Sequence, residues 1–454
     1  MGETETGTER NYDLMVIGTG NAGMAMALEA RHAGWKVAVT DELPYGGTCA
    51  VKGCLPKKVL VGAAEVIERA KALQNKGVSG TIHIAWPDLI RFKRTFTDPV
   101  PAARQAVFAK QGIDIFHGHA RFLGRNTLMI GDTTLDARFI GIAAGAIPRR
   151  LGIPGEELVS TSDDFLAMES LPERIVFIGG GFISFELAQV AAKAGAAVTI
   201  LHRSGMVLKE FDPFLVGVLV QALRKSGIEI LTDMPVASVE KSTDCLRVHA
   251  GKVQERTFEA DMVVNGAGRV PNTTGLDLDA GRVAIDERGI AINQYLQSTS
   301  NPSVYVAGDA NVRGKPLSPV ATMEGRAAAR NMIQGNKVVP DYLAVPSVVF
   351  VSPLLASVGL REDQAAKRGI TPVLHQKETP DWYSPRRVGI TPSGYKILTE
   401  GKSGRILGAH LLGYNADEVI NIFALAIRAG LTLADLQEMA WAYPTGAYDI
   451  NRIE

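Results

Sequence analysis

The sequence predicts an α/β protein: two strand–turn–helix–strand units, then a C-terminal segment that mixes strands with one amphipathic helix. Three observations predict it. Glycine-rich turns at residues 18–23 and 179–184 each stand between a short apolar strand and a helical pattern, and a second apolar strand follows each helix. The last third carries short apolar runs and one helix with an apolar stripe. At 454 residues the chain exceeds what one core supports, so about three domains are expected.

Composition narrows the function classes. Lys and Arg total 48, Asp and Glu total 48, and no long basic run occurs, which argues against nucleic acid or an acidic membrane surface as partner. Only 3 cysteines are present, so a secreted disulfide scaffold is excluded and a reducing, cytoplasmic location is expected. The first ten residues are polar, hold three Glu and read as a disordered tail without the apolar core of a signal peptide. No run has the length of a membrane span, and no resident metal site is expected.

The first unit starts with a strand at residues 12–17. It runs into Gly18-Thr19-Gly20-Asn21-Ala22-Gly23, a helix at 24–33 and a strand at 36–40 that ends in Asp41. Gly18, Gly20 and Gly23 let the backbone turn tightly and approach a pyrophosphate, which the helix N-terminus then faces. Asp41 stands where an acid holds ribose hydroxyls.

Next comes the run Gly46-Gly47-Thr48-Cys49-Ala50-Val51-Lys52-Gly53-Cys54-Leu55-Pro56-Lys57-Lys58, ahead of a long helical pattern. Four residues separate the sulfurs, read here as one extra turn of helix that lets both thiols lie on one face. A helix start favours thiolate, so the pair reads as an oxidisable dithiol able to pass on two electrons. Two packed structural cysteines are the alternative, made unattractive by the flanking glycines and proline. Cys245, in a strand-like stretch, reads as structural.

The second unit repeats the first: a strand at 174–178, Gly179-Gly180-Gly181-Phe182-Ile183-Ser184, a helix through residue 194 and a strand at 197–201. Ser184 stands where a third glycine would be. The strand ends in His202-Arg203 rather than an acid, so Arg203 and Lys209 are read as partners of a 2′-phosphate, selecting NADPH over NADH. Their alternative is solvated surface cations. Two such folds imply two dinucleotides, and a flavin beside a nicotinamide makes a hydride relay with the dithiol as acceptor.

At this point the chain resembles the pyridine nucleotide–disulfide oxidoreductases along nearly its whole length. The resemblance implies FAD on the first fold, NADPH on the second and a C-terminal α+β dimerisation domain. By the match of Gly46-Gly47-Thr48-Cys49 through Gly53-Cys54-Leu55-Pro56, Cys54 is the flavin-side sulfur and Cys49 the outer sulfur that meets substrate. Gly47 and Thr48 belong to the cofactor side of that motif. Lys58 falls on the family's flavin lysine and Glu186 on its paired acid. Phe182 falls either on an aromatic gate or on an ordinary core position. Ala143-Ala144-Gly145, Gly266-Ala267-Gly268-Arg269 and Ala307-Gly308-Asp309 resemble the family's loops around the flavin, which brings in Gly145, Gly268, Gly308 and Asp309. The implied division is residues 1–150 and 271–340 for FAD, 151–270 for NAD(P)H and 341–454 for the homodimer contact.

The sequence also departs from that pattern. Where the thiol–disulfide members carry a C-terminal His oriented by a Glu, this chain has Tyr443-Pro444-Thr445-Gly446-Ala447-Tyr448. A phenol with an unperturbed pKa of about 10 moves protons poorly near neutrality. Tyr443 then either donates a hydrogen bond to substrate or fills space. His117 and His119 lie in a strand-like stretch and read as structural. The expectation is a homodimeric FAD-dependent NADPH oxidoreductase whose acceptor is a small-molecule disulfide or a metal ion. A redox-sensing binding module and an oxygen-reducing oxidase are the rival readings.

Overall fold

The computed structural model describes residues 10–454, so nearly all of the polar tail lies outside the described residues. The chain forms two compact units. The first takes the residues up to Pro56, then Arg94–Arg149 and Arg269–Tyr342; the second takes Lys57–Lys93, Arg150–Gly268 and Leu343–Glu454.

In the first unit, strands Asp114–His117, Val37–Asp41, Arg10–Ile17 and Thr133–Ile142 lie side by side in parallel. The far edge of Thr133–Ile142 pairs with Thr127–Ile130 near its start and with Val304–Val306 near its end. Leu14, Met15, Val16, Ala38 and Val39 are fully buried, as continuous apolar strands covered on both faces must be. The first helix spans Asn21–His32, starting earlier than its apolar pattern because extended Gly20 already caps it. The stretch holding His117 and His119 is broken at Gly118, where φ is 147°.

In the second unit, four parallel strands run in the order Glu229–Leu231, Ala197–Leu201, Arg174–Ile178 and Met262–Asn265. The helix Phe182–Lys193 follows the central strand. The C-terminal segment is a five-stranded antiparallel sheet, in the order Ser347–Val349, Leu354–Gly359, Ile406–Gly413, Gly394–Glu400 and Pro372–Glu378. Helix Ala416–Ala429 covers it through Val419, Ile420, Phe423 and Ala426 and stops at left-handed Gly430. No helix among the described residues is long and apolar enough to cross a membrane.

Candidate active site

The first loop is closed by backbone on every side. Gly18 has φ +103°, and a Cβ there would lie 2.2 Å from the Ala143 carbonyl oxygen. A Cβ on Gly23 would meet Gly18 O at 1.9 Å. Gly47 has φ +70°, and its Cβ would lie 2.5 Å from Gly20 Cα, so the dithiol segment and the loop touch glycine to glycine. The Asn21–His32 helix has no side-chain cap and no acid in its first turn, leaving its N–H groups for an anion.

Asp41 is already engaged. Its Oδ2 accepts from Thr19 N–H at 2.8 Å and Thr19 Oγ–H at 2.6 Å, and its Oδ1 from Leu43 N–H at 3.0 Å. Thr19 Oγ in turn accepts from Gly46 N–H at 3.2 Å, so Asp41 holds the loop against the dithiol segment. The neighbouring acid, Glu42, meets His119 Nδ1 at 2.7 Å, and His119 Nε2 donates to Gly275 O at 2.7 Å. The Gly275 carbonyl, then Glu42, raise the His119 pKa, and the His119 hydrogen bond lowers that of Glu42.

The two thiols do not share a helix, contrary to the sequence expectation. Cys49 sits in the short helix Gly47–Lys52, which ends at Gly53 (φ −142°, ψ −112°), and Cys54 opens the helix Cys54–Ala72. The break needs glycine, because a Cβ on residue 53 would lie 2.8 Å from Thr48 O. It folds the chain so that the two sulfurs hydrogen-bond each other. Ser318 Oγ lies 3.4 Å from Cys54 Sγ and also bonds Cys49. Ser318 begins the helix Ser318–Gln334, which has no side-chain cap. The Cys54 sulfur, and then burial, push the Cys49 thiol well up, against a lowering by Ser318. Cys54 is first in its helix, where free backbone N–H groups favour a thiolate.

Strand Val304–Val306 delivers Gly308 at φ +71°, then Asp309, whose pKa burial raises while Arg269 opposes. Glu324, missed in the sequence, organises this turn. Only 1% exposed, it accepts from Gly308 N–H at 2.8 Å, Asn311 Nδ2–H at 3.0 Å and Tyr342 O–H at 2.7 Å. Its one legible signal was a charge on the alanine-rich, buried face of a helix. Gly145 (φ +71°) accepts from Asn272 N–H at 2.9 Å, and Gly268 (φ +107°) leads into the strand Arg269–Pro271.

The second loop repeats the first. Gly179 has φ +115°, and its Cβ would lie 2.4 Å from Gly266 O. Gly181 caps the Phe182–Lys193 helix without a side-chain bond. Ser184 replaces the third glycine because its facing residue is itself Gly266, where a Cβ would lie 2.0 Å from Ser184 Oγ. That hydroxyl is fully buried and has no hydrogen-bond partner among the described residues. Arg203 and Lys209 are exposed beside His202, whose pKa is lowered by burial and further by both cations. Phe182 is 44% exposed and so is not a core residue.

The lysine partner of Glu186 is corrected. Lys57 Nζ, not Lys58, lies 2.8 Å from Glu186 Oε2, while Lys58 pairs with Glu65 at 3.0 Å. Lys57 and Lys58 are three and four residues beyond Cys54, both one helical turn on, and only the tertiary contacts tell them apart. Both ammonium groups stand over the Phe350 ring, at 4.4 and 4.3 Å. Glu186 also accepts from Phe350 N–H at 2.8 Å; burial raises its pKa and Lys57 opposes. Tyr443 and Tyr448 meet edge to face with centroids 4.7 Å apart, and Tyr443 is 70% exposed in the single chain.

Both loops fit dinucleotides: glycine cradles that any side chain would fill, below uncapped helix starts. The chain matches the family described as pyridine nucleotide-disulphide oxidoreductase over residues 12–325 and that family's dimerisation domain over residues 345–452. It is 34% identical to a glutathione reductase of Burkholderia cepacia over 442 residues, 96% of each chain. It is also 34% identical to a mercuric reductase of Bacillus cereus over 450 residues, 96% of this chain and 70% of that one. Among solved structures it resembles the HOCl-induced flavoprotein disulfide reductase RclA of Escherichia coli, in complex with Cu(II), with a TM-score of 0.88 and 26% identity over 98% of this chain and 99% of that one. With its glycine cradles, its sulfur pair and these matches along its length, the chain belongs to the pyridine nucleotide–disulfide oxidoreductase family and is an enzyme of that kind.

Proposed function

We propose that this enzyme is an NADPH-dependent reductase in which Cys49 and Cys54 form a reversible disulfide that passes electrons to a small disulfide or a metal ion. One observation carries the reading: the two free thiols stand in hydrogen-bond contact at a helix start, with Ser318 at the head of a further helix beside both. Bound FAD supplies a two-electron carrier between the nicotinamide and the sulfur pair.

The chain's own residues do the rest. The first loop (Gly18, Gly20, Gly23, with Gly47 and Thr48) holds the FAD pyrophosphate, with Asp41 bracing it, and Gly145, Gly308 and Asp309 complete that site. Gly179, Gly181 and Gly268 hold NADPH, Phe182 covers its entry, and Arg203 and Lys209 meet the 2′-phosphate. Lys57 keeps a fixed cation beside buried Glu186, one turn from Cys54. Cys54 holds the negative charge first, and Cys49 is the outer sulfur that attacks the acceptor. The domain boundaries proposed are 1–150 and 271–340 for FAD, 151–270 for NADPH and 341–454 for homodimer contact, in a cytoplasmic protein.

The acceptor is left to chemistry that needs little proton transfer, because Tyr443 and Tyr448 stand in the places of the acid–base pair. Thiol titration after anaerobic NADPH tests the core of this. Wild type gains two titratable thiols and the Cys49→Ser variant gains none; a wild type that gains none overturns the reading. Tyr443→His should raise turnover with unactivated disulfides at least about tenfold, since general acid–base catalysis is worth 10²–10⁴.

A further inference from the structure

The helix Val100–Lys110 packs against the short helix that carries Cys49. Val100 is the contact: a Cβ on Gly46 would lie 2.6 Å from Val100 Cγ1. Arg104 stands one turn further along the same face. It is half-buried, and no carboxylate pairs with it among the described residues. Burial lowers its pKa, and the helix packing sets its residue on the side of the segment that carries Cys49. The two helices, Gly-Thr-Cys-Ala-Val-Lys and Val-Pro-Ala-Ala-Arg-Gln-Ala-Val-Phe-Ala-Lys, carry three cations and no acid. A partly desolvated arginine without a counter-ion is costly to keep, and it is suited to a carboxylate or other anion.

We infer that Arg104 is a specificity residue: it selects acceptors that bear negative charge next to the bond Cys49 attacks, namely small anionic disulfides rather than free metal cations. This rests on the proposal that Cys49 is the sulfur that meets the acceptor. The Cys49 thiolate attacks one sulfur of the acceptor, the acceptor S–S bond breaks, and one thiolate leaves. Cys54 then attacks Cys49 Sγ in the mixed disulfide and releases the second thiolate. The acceptor gains two electrons, the Cys49–Cys54 pair loses two, water protonates the products, and NADPH restores the dithiol. The guanidinium offsets the negative charge gathered as an anionic acceptor meets a thiolate.

The test uses the holoenzyme with two activated disulfides, dianionic dithiobis-nitrobenzoate and neutral dithiodipyridine, and with copper(II) chloride. The readout is the ratio of kcat/KM for the anionic to the neutral disulfide. Arg104→Gln should lower that ratio about tenfold and Arg104→Glu further, Arg104→Lys should restore most of it, and rising salt should lower it in wild type but not in Arg104→Gln. Copper(II) turnover should not fall in Arg104→Glu. A ratio that is unchanged, or equal losses on all three acceptors, overturns the inference. Should Arg104→Glu lose its flavin, the Gln and Lys variants and the wild-type salt dependence decide. Turnover that survives Cys49→Ser would instead sink the proposed function, and so is distinguishable.

Discussion

The two dinucleotide loops share a backbone and differ in what surrounds it. Each starts with a glycine above φ +100° pressed on a carbonyl from a crossing segment, Ala143 O in the first and Gly266 O in the second. The helices that follow are buried by opposite means. Helix Asn21–His32 buries only Ala22, Gly23, Met26, Ala27 and Ala30, and helix Ser318–Gln334 comes close enough that a Cβ on Gly325 would lie 2.2 Å from Ala22 O. Helix Phe182–Lys193 buries Glu186 and Gln189, which bond the Phe350 amide and both backbone groups of Ser352. The glycine frame is thus a device for close backbone approach, while the helix behind it is free to carry chemistry. Only the second helix buries a charged side chain.

Breaking each frame should separate the two sites most sharply. Gly18→Ala forces a left-handed residue against Ala143 O, adding ~1–2 kcal/mol of backbone strain to a clash, and the protein should purify without yellow colour. Gly179→Ala should keep the flavin and raise KM for NADPH about tenfold or more, because only the nicotinamide loop is disturbed. If both variants lose colour alike, the loops do not act separately.

The buried acid comes next. Lys57→Met leaves Glu186 uncompensated and should cost ~3–5 kcal/mol in urea unfolding. Lys58→Met breaks a half-exposed pair and should cost less than ~1 kcal/mol. Equal losses would remove the distinction between the two lysines.

At the ends of the second strands, Asp41 braces its loop whereas Arg203 and Lys209 face solvent. The double variant Arg203→Ala, Lys209→Ala should lower the preference for NADPH over NADH in kcat/KM by about tenfold or more, as hydrogen bonds to charged groups are worth ~1.5–3 kcal/mol. An unchanged preference would mean that these cations are merely solvated.

The smallest effect concerns Glu42 and His119. The folded pKa of His119 is raised above 6.5, so its contribution is complete at lower pH and fades as pH climbs through the folded value. The folded pKa of Glu42 is lowered below 4.5, so its contribution fades as acid passes through that lower value. Stability should therefore plateau between the two and sag on the alkaline side. His119→Gln should flatten that alkaline sag in thermal melts taken across pH 5 to 9; a profile identical to wild type would count against the contact.

Much of the site was legible because its signals are local. Gly18, Gly179 and Gly308 announce positive φ, the apolar strands announce parallel sheets, and Gly430 announces the end of a helix. What was misread depended on partners distant in the chain. The family match assigns the flavin lysine to Lys58, and nothing within that helix says that Lys57 is the one that reaches Glu186, more than a hundred residues away. Glu324 and Arg104 were passed over because a charge on a helix reads as solvated until its neighbours are known.

By itself the sequence determined where strands give way to glycine turns and that a pair of sulfurs follows the first of those turns. These are consequences of steric freedom and apolar periodicity, which act over a few residues. The tertiary structure alone decided which groups pair: Lys57 with Glu186, Lys58 with Glu65, and Asp41 with Thr19. Coulomb and desolvation energies depend on distance and burial, and those exist only once the chain has folded.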